Sequence, residues 1–196
     1  MREDASFGVS GRPDGLPPAG LAREQFIIEG SSRSSSMKAI QDYYPDELAH
    51  CLGCGRLNEH GHHLRTFWDG ETSETRFTPQ PFHTALPGFV NGGLLASLID
   101  CHATGTAAAA AYHAEGREMD TLPAHRFVTA SLRVDYLRPT PLGPELLLRG
   151  HVRSISGRKV VVEVTVSVGG ETTVRGEVIA VEMPDSMRPR PTSTSS

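Results

Sequence analysis

The segment from Gly92 to Tyr112 narrows the choice of fold more than any other part of the chain. It contains no proline, Leu94, Leu95, Leu98, Ile99 and His102 recur at helical spacing, and Ala107 to Ala111 extend the run. That pattern predicts one long helix, with Asn91 placed to cap its N-terminus. The segment is apolar almost all round, so the helix must be buried and not merely laid on a surface. Its later alanines would let strands approach closely. A buried helix needs a cover, and the flanking sequence supplies one.

After Pro123 the chain reads as strand after strand: Phe127 to Leu137, Glu145 to Ser154, Lys159 to Val168 and Thr172 to Met183. In the third of these, Val160, Val162, Val164, Val166 and Val168 share one face while Glu163, Thr165 and Ser167 take the other, the period of a half-buried strand. Short turns, including Gly169-Gly170, predict an antiparallel meander of these four strands. Before the helix, His63 to Trp68 and Glu71 to Phe77 read as two further strands joined by the hairpin signal Asp69-Gly70. A short helix is expected between Met37 and Leu48, interrupted at Pro45. The fold class is therefore α+β, an antiparallel sheet wrapped around one central helix. Residues 1–36, rich in Gly, Pro, Ser and charge, and residues 184–196 are expected to be disordered and dispensable tails around a domain at 37–183.

Composition excludes several functions. The chain has 196 residues and a formal net charge of -4, with 19 Lys+Arg against 23 Asp+Glu, which argues against nucleic acid as a partner. Its three cysteines, Cys51, Cys54 and Cys101, are too few and odd in number for a disulfide framework, so a reducing, cytoplasmic setting is expected. The N-terminus opens with acids and no apolar stretch, so no secretory signal is expected. The most apolar run carries Asp100 and His102, so no membrane span is expected. Cys51-x-x-Cys54, with His60, His62 and His63 nearby, would suit zinc only with irregular histidine spacing. A Gly-rich turn is the default there, and Cys101 is expected to be a small core residue.

The ordered motifs resemble the hotdog-fold acyl-CoA thioesterases, nearest the PaaI-type and animal THEM-type subgroup. Phe89-Val90-Asn91-Gly92-Gly93 opens the helix and Asp100 follows nine positions after Asn91, as the family's acid follows its His-Gly-Gly. Tyr136-Leu137-Arg138-Pro139 matches the family's Tyr-x-x-Pro strand end, Thr129 falls on its strand Ser/Thr, and Cys51-x-x-Cys54-Gly55 looks like the subgroup's lead-in. Two positions depart: Asn91, a candidate catalytic residue that can cap the helix and still donate a hydrogen bond, stands where the family has His, and Ala85 where it often has an upstream Asn. The resemblance spans Cys51 to Met183. It implies an acyl-CoA substrate, no metal or redox cofactor, and a homodimer or a homotetramer made of two dimers.

Thioester hydrolysis needs donors for a developing oxyanion and a base or nucleophile for the attack. A helix N-terminus offers unpaired N–H groups and partial positive charge, and Gly92 and Gly93 leave it unshielded. Gly92 N–H is the candidate oxyanion donor, and Gly93 a substrate contact. Asp100, an acid within an apolar helix, is costly without a role. It is the candidate general base or nucleophile. Eight helical rises cover ~12 Å, so Gly92 and Asp100 of one chain cannot flank one carbonyl. If both act, they come from different subunits. Thr129 would hold the water or orient Asp100, or be an ordinary strand threonine. His83 would touch substrate or be solvated. Arg158 and Lys159 would pair with CoA phosphates or form a solvated hairpin tip, and Arg138 and Arg153 are weaker candidates. The rival readings are a non-catalytic acyl-CoA-binding protein, motivated by Ala85 and Asn91, and a hotdog hydratase or dehydratase.

Overall fold

A computed structural model describes residues 38–188. The expected N-terminal tail lies outside the described residues. Of the expected C-terminal tail, only 184–188 fall within them, where Asp185–Met187 form a 3-10 turn.

The central helix, α1, spans Gly92–Ala114, two residues beyond the predicted end. Asn91 caps it: its Oδ1 accepts the N–H groups of Gly93 at 2.8 Å and Leu94 at 3.1 Å. At the other end Gly116, at φ 64, reverses the chain, and its N–H and that of Arg117 donate back to His113 and Tyr112 carbonyls. By length and hydropathy the helix would suit a bilayer, but 78% of its most apolar window is buried inside the protein.

Six antiparallel strands cover it: β1 Phe67–Trp68, β2 Thr72–Phe77, β3 Phe127–Tyr136, β4 Leu146–Ser156, β5 Lys159–Val168 and β6 Glu171–Glu182. Their order is β1-β2-β4-β5-β6-β3. The expected four-strand meander is therefore corrected. β4, β5 and β6 are a meander, but β3 pairs with the far side of β6, and β2 takes the free edge of β4. The reason lies in residues 137–145. This Pro-rich connection is too long for a hairpin and is anchored across the sheet end, with Leu137 N–H donating to Thr173 O and Val90 N–H to Thr140 O.

Three further expectations change. The first strand is only its last two residues, because 62–66 bond elsewhere: His62 and Leu64 N–H donate to Leu52 and Gly53 carbonyls, and Thr66 O accepts Ile40 N–H. The hairpin tip moves one residue on, to Gly70-Glu71. Asp69 instead accepts the N–H groups of Glu71 and Thr72 at 2.8 and 2.7 Å. Those two backbone bonds, Thr72's first, hold its carboxyl below the usual range. The helix expected near Met37 to Leu48 is two 3-10 turns, Ile40–Tyr43 and Asp46–Leu48.

The core is the interface of sheet and helix. Val160, Val162, Val164 and Val166 are all at most 1% exposed and pack with Leu98 and Ile99, both at 0%. Each such side chain contributes roughly 1.5–3 kcal/mol by leaving water. Close approach depends on strand glycines rather than on helix alanines alone. A Cβ at Gly176 would sit 2.5 Å from Ile99 Cγ2, and one at Gly150 would sit 2.7 Å from His102 Nε2. His102 is buried and neutral, held between Ser73 Oγ and Thr75 Oγ1, each at 2.9 Å. Burial pushes its pKa down to about 3.

Candidate active site

The loop before α1 holds the helix end against the rest of the protein. Asn91 N–H donates to His83 O at 2.9 Å, and short bridges join Thr84 to Val90 and Phe89 to Pro141. Asn91 Oδ1 uses the second and third N–H groups of the helix. Gly92 N–H, the first, has no acceptor among the described residues. Gly92 O accepts the Tyr136 hydroxyl at 2.6 Å. Beside this N–H lies an open, mainly apolar depression of about 520 Å³, lined by Leu86, Phe89, Gly92, Leu95, Tyr136 and Arg138 among others. Phe82 and Leu86 stand 77% and 69% exposed at this end of the helix.

His83 also comes to the helix N-terminus. It shares a second depression, of about 360 Å³, with Asn91, Gly93 and Ser97. Its Nδ1 accepts Gln80 N–H at 2.9 Å, and the Phe82 and His62 rings lie 4.4 and 5.3 Å away. Burial first, then His62, lowers its pKa, so the ring is neutral near pH 7.

Asp100 sits two turns along α1, half-buried. Its Oδ1 accepts a short hydrogen bond from Thr129 Oγ1. The β3–β6 register shifts between Thr129 and Ser131, a bulge of the kind that re-aims a side chain. Desolvation raises the Asp100 pKa, the Thr129 bond opposes that rise, and nearby Cys51 adds to it. Within one chain, Gly92 and Asp100 are eight helical rises apart, ~12 Å. Within one chain, therefore, the Gly92 N–H and the Asp100 carboxylate cannot meet on one carbonyl.

Arg158 and Lys159 are not brought to Gly92. They occupy the β4–β5 hairpin, where Lys159 pairs with Val181 in register and Arg158 donates to the Glu182 and Met183 carbonyls. Gly92 lies at the opposite end of the sheet, beside Tyr136. Arg138 lines the Gly92 depression and pairs with Glu171, while Arg153 pairs with Glu177 and Glu163. The Tyr136 bond to Gly92 is a contact that only the Tyr-x-x-Pro motif hints at. Among groups able to hold a metal, Cys51, Cys54 and Cys101 have sulfurs all within 4.8 Å of one another. The nearby histidines stay out: His63 Nδ1 meets Gly55 O at 3.1 Å, and His62 packs on His83.

Residues 87–175 match the family model described as Thioesterase superfamily. A solved thioesterase superfamily protein from Shewanella loihica is 49% identical, with a TM-score of 0.53, over 65% of this chain and 96% of that one. Another solved thioesterase superfamily protein, at 24% identity and a TM-score of 0.54, covers 78% of this chain and 73% of its own and shares the fold. Acyl-coenzyme A thioesterase THEM4 of Xenopus laevis is 38% identical over 84 residues, 43% of this chain and 32% of that protein. The chain spans about a third of the length of the curated relatives it matches, 32% and 36% for the frog and rat proteins. With its six-stranded antiparallel sheet around one helix, the chain has the hotdog fold and belongs to the thioesterase superfamily.

Proposed function

We propose that the protein hydrolyses acyl-CoA thioesters, in active sites shared between two copies of the chain. The observation that carries this reading is the unclaimed Gly92 N–H at the start of a long helix, beside an apolar depression. A thioester carbonyl entering there would place its oxygen on Gly92 N–H, with the helix end favouring negative charge. The acyl chain would lie along Leu86, Phe89 and Leu95. The base is Asp100 of the partner subunit, its Oδ1 engaged by Thr129 and its other oxygen left for water. Water attacks the carbonyl carbon and its proton passes to the carboxylate. The oxyanion forms on Gly92 N–H. Its collapse breaks the C–S bond and releases CoA thiolate, which takes up the proton.

β3 supports the shared site. It is an edge strand of the sheet and is exposed from Thr129 to Arg133. An edge of this length invites pairing. Joining two copies along β3 about a two-fold axis sets their helices side by side in opposite directions. Gly92 of one copy then approaches the other copy's Asp100. The test is a panel of acyl-CoA esters assayed for thiol release with wild type and Asp100→Asn. Turnover by wild type that falls by ~10²–10⁴ in the variant, with the fold unchanged, supports the reading. Wild-type inactivity on every ester, or an Asp100→Asn protein as active as wild type, would overturn it.

A further inference from the structure

The geometry points to a metal site that lies apart from the Gly92 depression: the thiolates of Cys51, Cys54 and Cys101 bind one thiophilic cation, Zn²⁺ by the balance of charge. The three sulfurs come from two places fifty residues apart, the turn 51–55 and the middle of α1, yet all lie within 4.8 Å of one another. Cys51 and Cys101 sulfurs are 3.6 Å apart. Zinc–thiolate bonds of ~2.3 Å in a tetrahedron set sulfurs about 3.8 Å apart, so a cation fits with small side-chain movements.

The turn is shaped around sulfur. Glycine is required on both sides of Cys54. A Cβ at Gly53 would fall 2.3 Å from Cys101 Sγ, and one at Gly55 would fall 2.4 Å from Cys51 N. The chain thus folds tightly over Cys101 and delivers two further sulfurs to it. Three packed hydrophobes would need none of this.

Charge supplies a second, independent observation. Arg126 is drawn over the Tyr44 ring, 4.4 Å from its centroid, within electrostatic reach of all three cysteines. Its Nη1 and the Tyr44 hydroxyl are buried without a hydrogen-bond partner among the described residues. No carboxylate among them pairs with this guanidinium. A half-buried guanidinium with an enclosed, unpartnered Nη1 calls for an anion. Zn²⁺ with three thiolates carries a net charge of −1 and neutralises Arg126, whereas a monovalent cation would leave an excess negative charge. Three protein ligands leave the fourth tetrahedral position to a small exogenous ligand.

The test uses the full chain, reduced and stripped of metal, titrated with Co²⁺ and then Zn²⁺. One equivalent of Co²⁺ per chain should produce a thiolate-to-cobalt charge-transfer band, which Zn²⁺ then bleaches. Bound Zn²⁺ should also slow the reaction of all three thiols with a disulfide reagent. Cys54→Ser and Cys101→Ala, each shown to be folded by circular dichroism, should abolish the band. Wild type that is reduced and folded yet gives no band, or a band that survives either substitution, would overturn the site. So would protein isolated without reductant that holds a disulfide and no metal.

Discussion

Replacing Thr129 with Val probes the link between the strand bulge and the carboxylate. Burial favours the neutral acid at Asp100, and the hydroxyl of Thr129 favours the carboxylate by donating to it. A hydrogen bond to a charged group contributes ~1.5–3 kcal/mol. This pair is open to solvent in the single chain, so the lower end applies. About 1.5 kcal/mol is roughly tenfold in the ratio of carboxylate to acid. The sign follows from which form is bonded. Without the hydroxyl the Asp100 pKa rises, and the acid limb of kcat/KM moves to higher pH. On that limb activity tracks the ionised fraction, so Thr129→Val should be about tenfold less active than wild type there, with a smaller loss at high pH. Thr129→Ser keeps the donor and should restore the wild-type limb. The assay is a pH profile of thiol release, with all three proteins metal-stripped and reduced alike. A limb that stays in place or moves to lower pH in Thr129→Val would refute the reasoning, as would a Ser variant that behaves like Val.

Two other outcomes follow from the same geometry. Hydrolysis in H₂¹⁸O under single-turnover conditions should put the label in the product carboxylate. Label in Asp100, read by mass spectrometry of the digested protein, would instead make that residue a nucleophile. Ser73 Oγ, buried at 2.9 Å from His102 Nε2 and 2.6 Å from Thr106 Oγ1, is expected to matter for stability alone. Ser73→Ala should cost ~2–4 kcal/mol in urea unfolding, and a change below about 0.5 kcal/mol would mean that this buried network relaxes freely.

The elements with the strongest local pattern were legible in the residues. α1 shows itself because nothing interrupts its apolar spacing, and β5 because its valines alternate without a break. The order of strands is not local information. Whether β3 joins β4 or β6 depends on where residues 137–145 cross, and that path is set by bonds to Thr173 and Val90. β1 fails as a long strand for a similar reason, since 62–66 find partners in the cysteine turn and beside Ile40. Asp100 stands out as a lone acid in an apolar helix. Thr129 is one threonine among several strand threonines until the bulge places it on Asp100. Cys101 gives no sign in one dimension of meeting Cys51 and Cys54, because that contact depends on how a tight glycine turn seats on the middle of a helix.

The shared site is tested most directly by mixing two inactive variants. Asp100→Asn removes the carboxylate, and Gly92→Pro removes the N–H proposed to hold the oxyanion, at a helix position where proline is tolerated. Asn91, at φ -61 and ψ 130, already has a backbone suited to a following proline. In the proposed dimer, each homodimer would carry two damaged sites. A heterodimer carries one site with both lesions and one with neither, so each should recover about half the activity of a wild-type dimer. Recovery to that level, with heterodimers purified by two different tags, is the expected result. Purified heterodimers without recovered activity, or a fully active monomer, would contradict a site in which Gly92 of one chain and Asp100 of the other act on the same carbonyl.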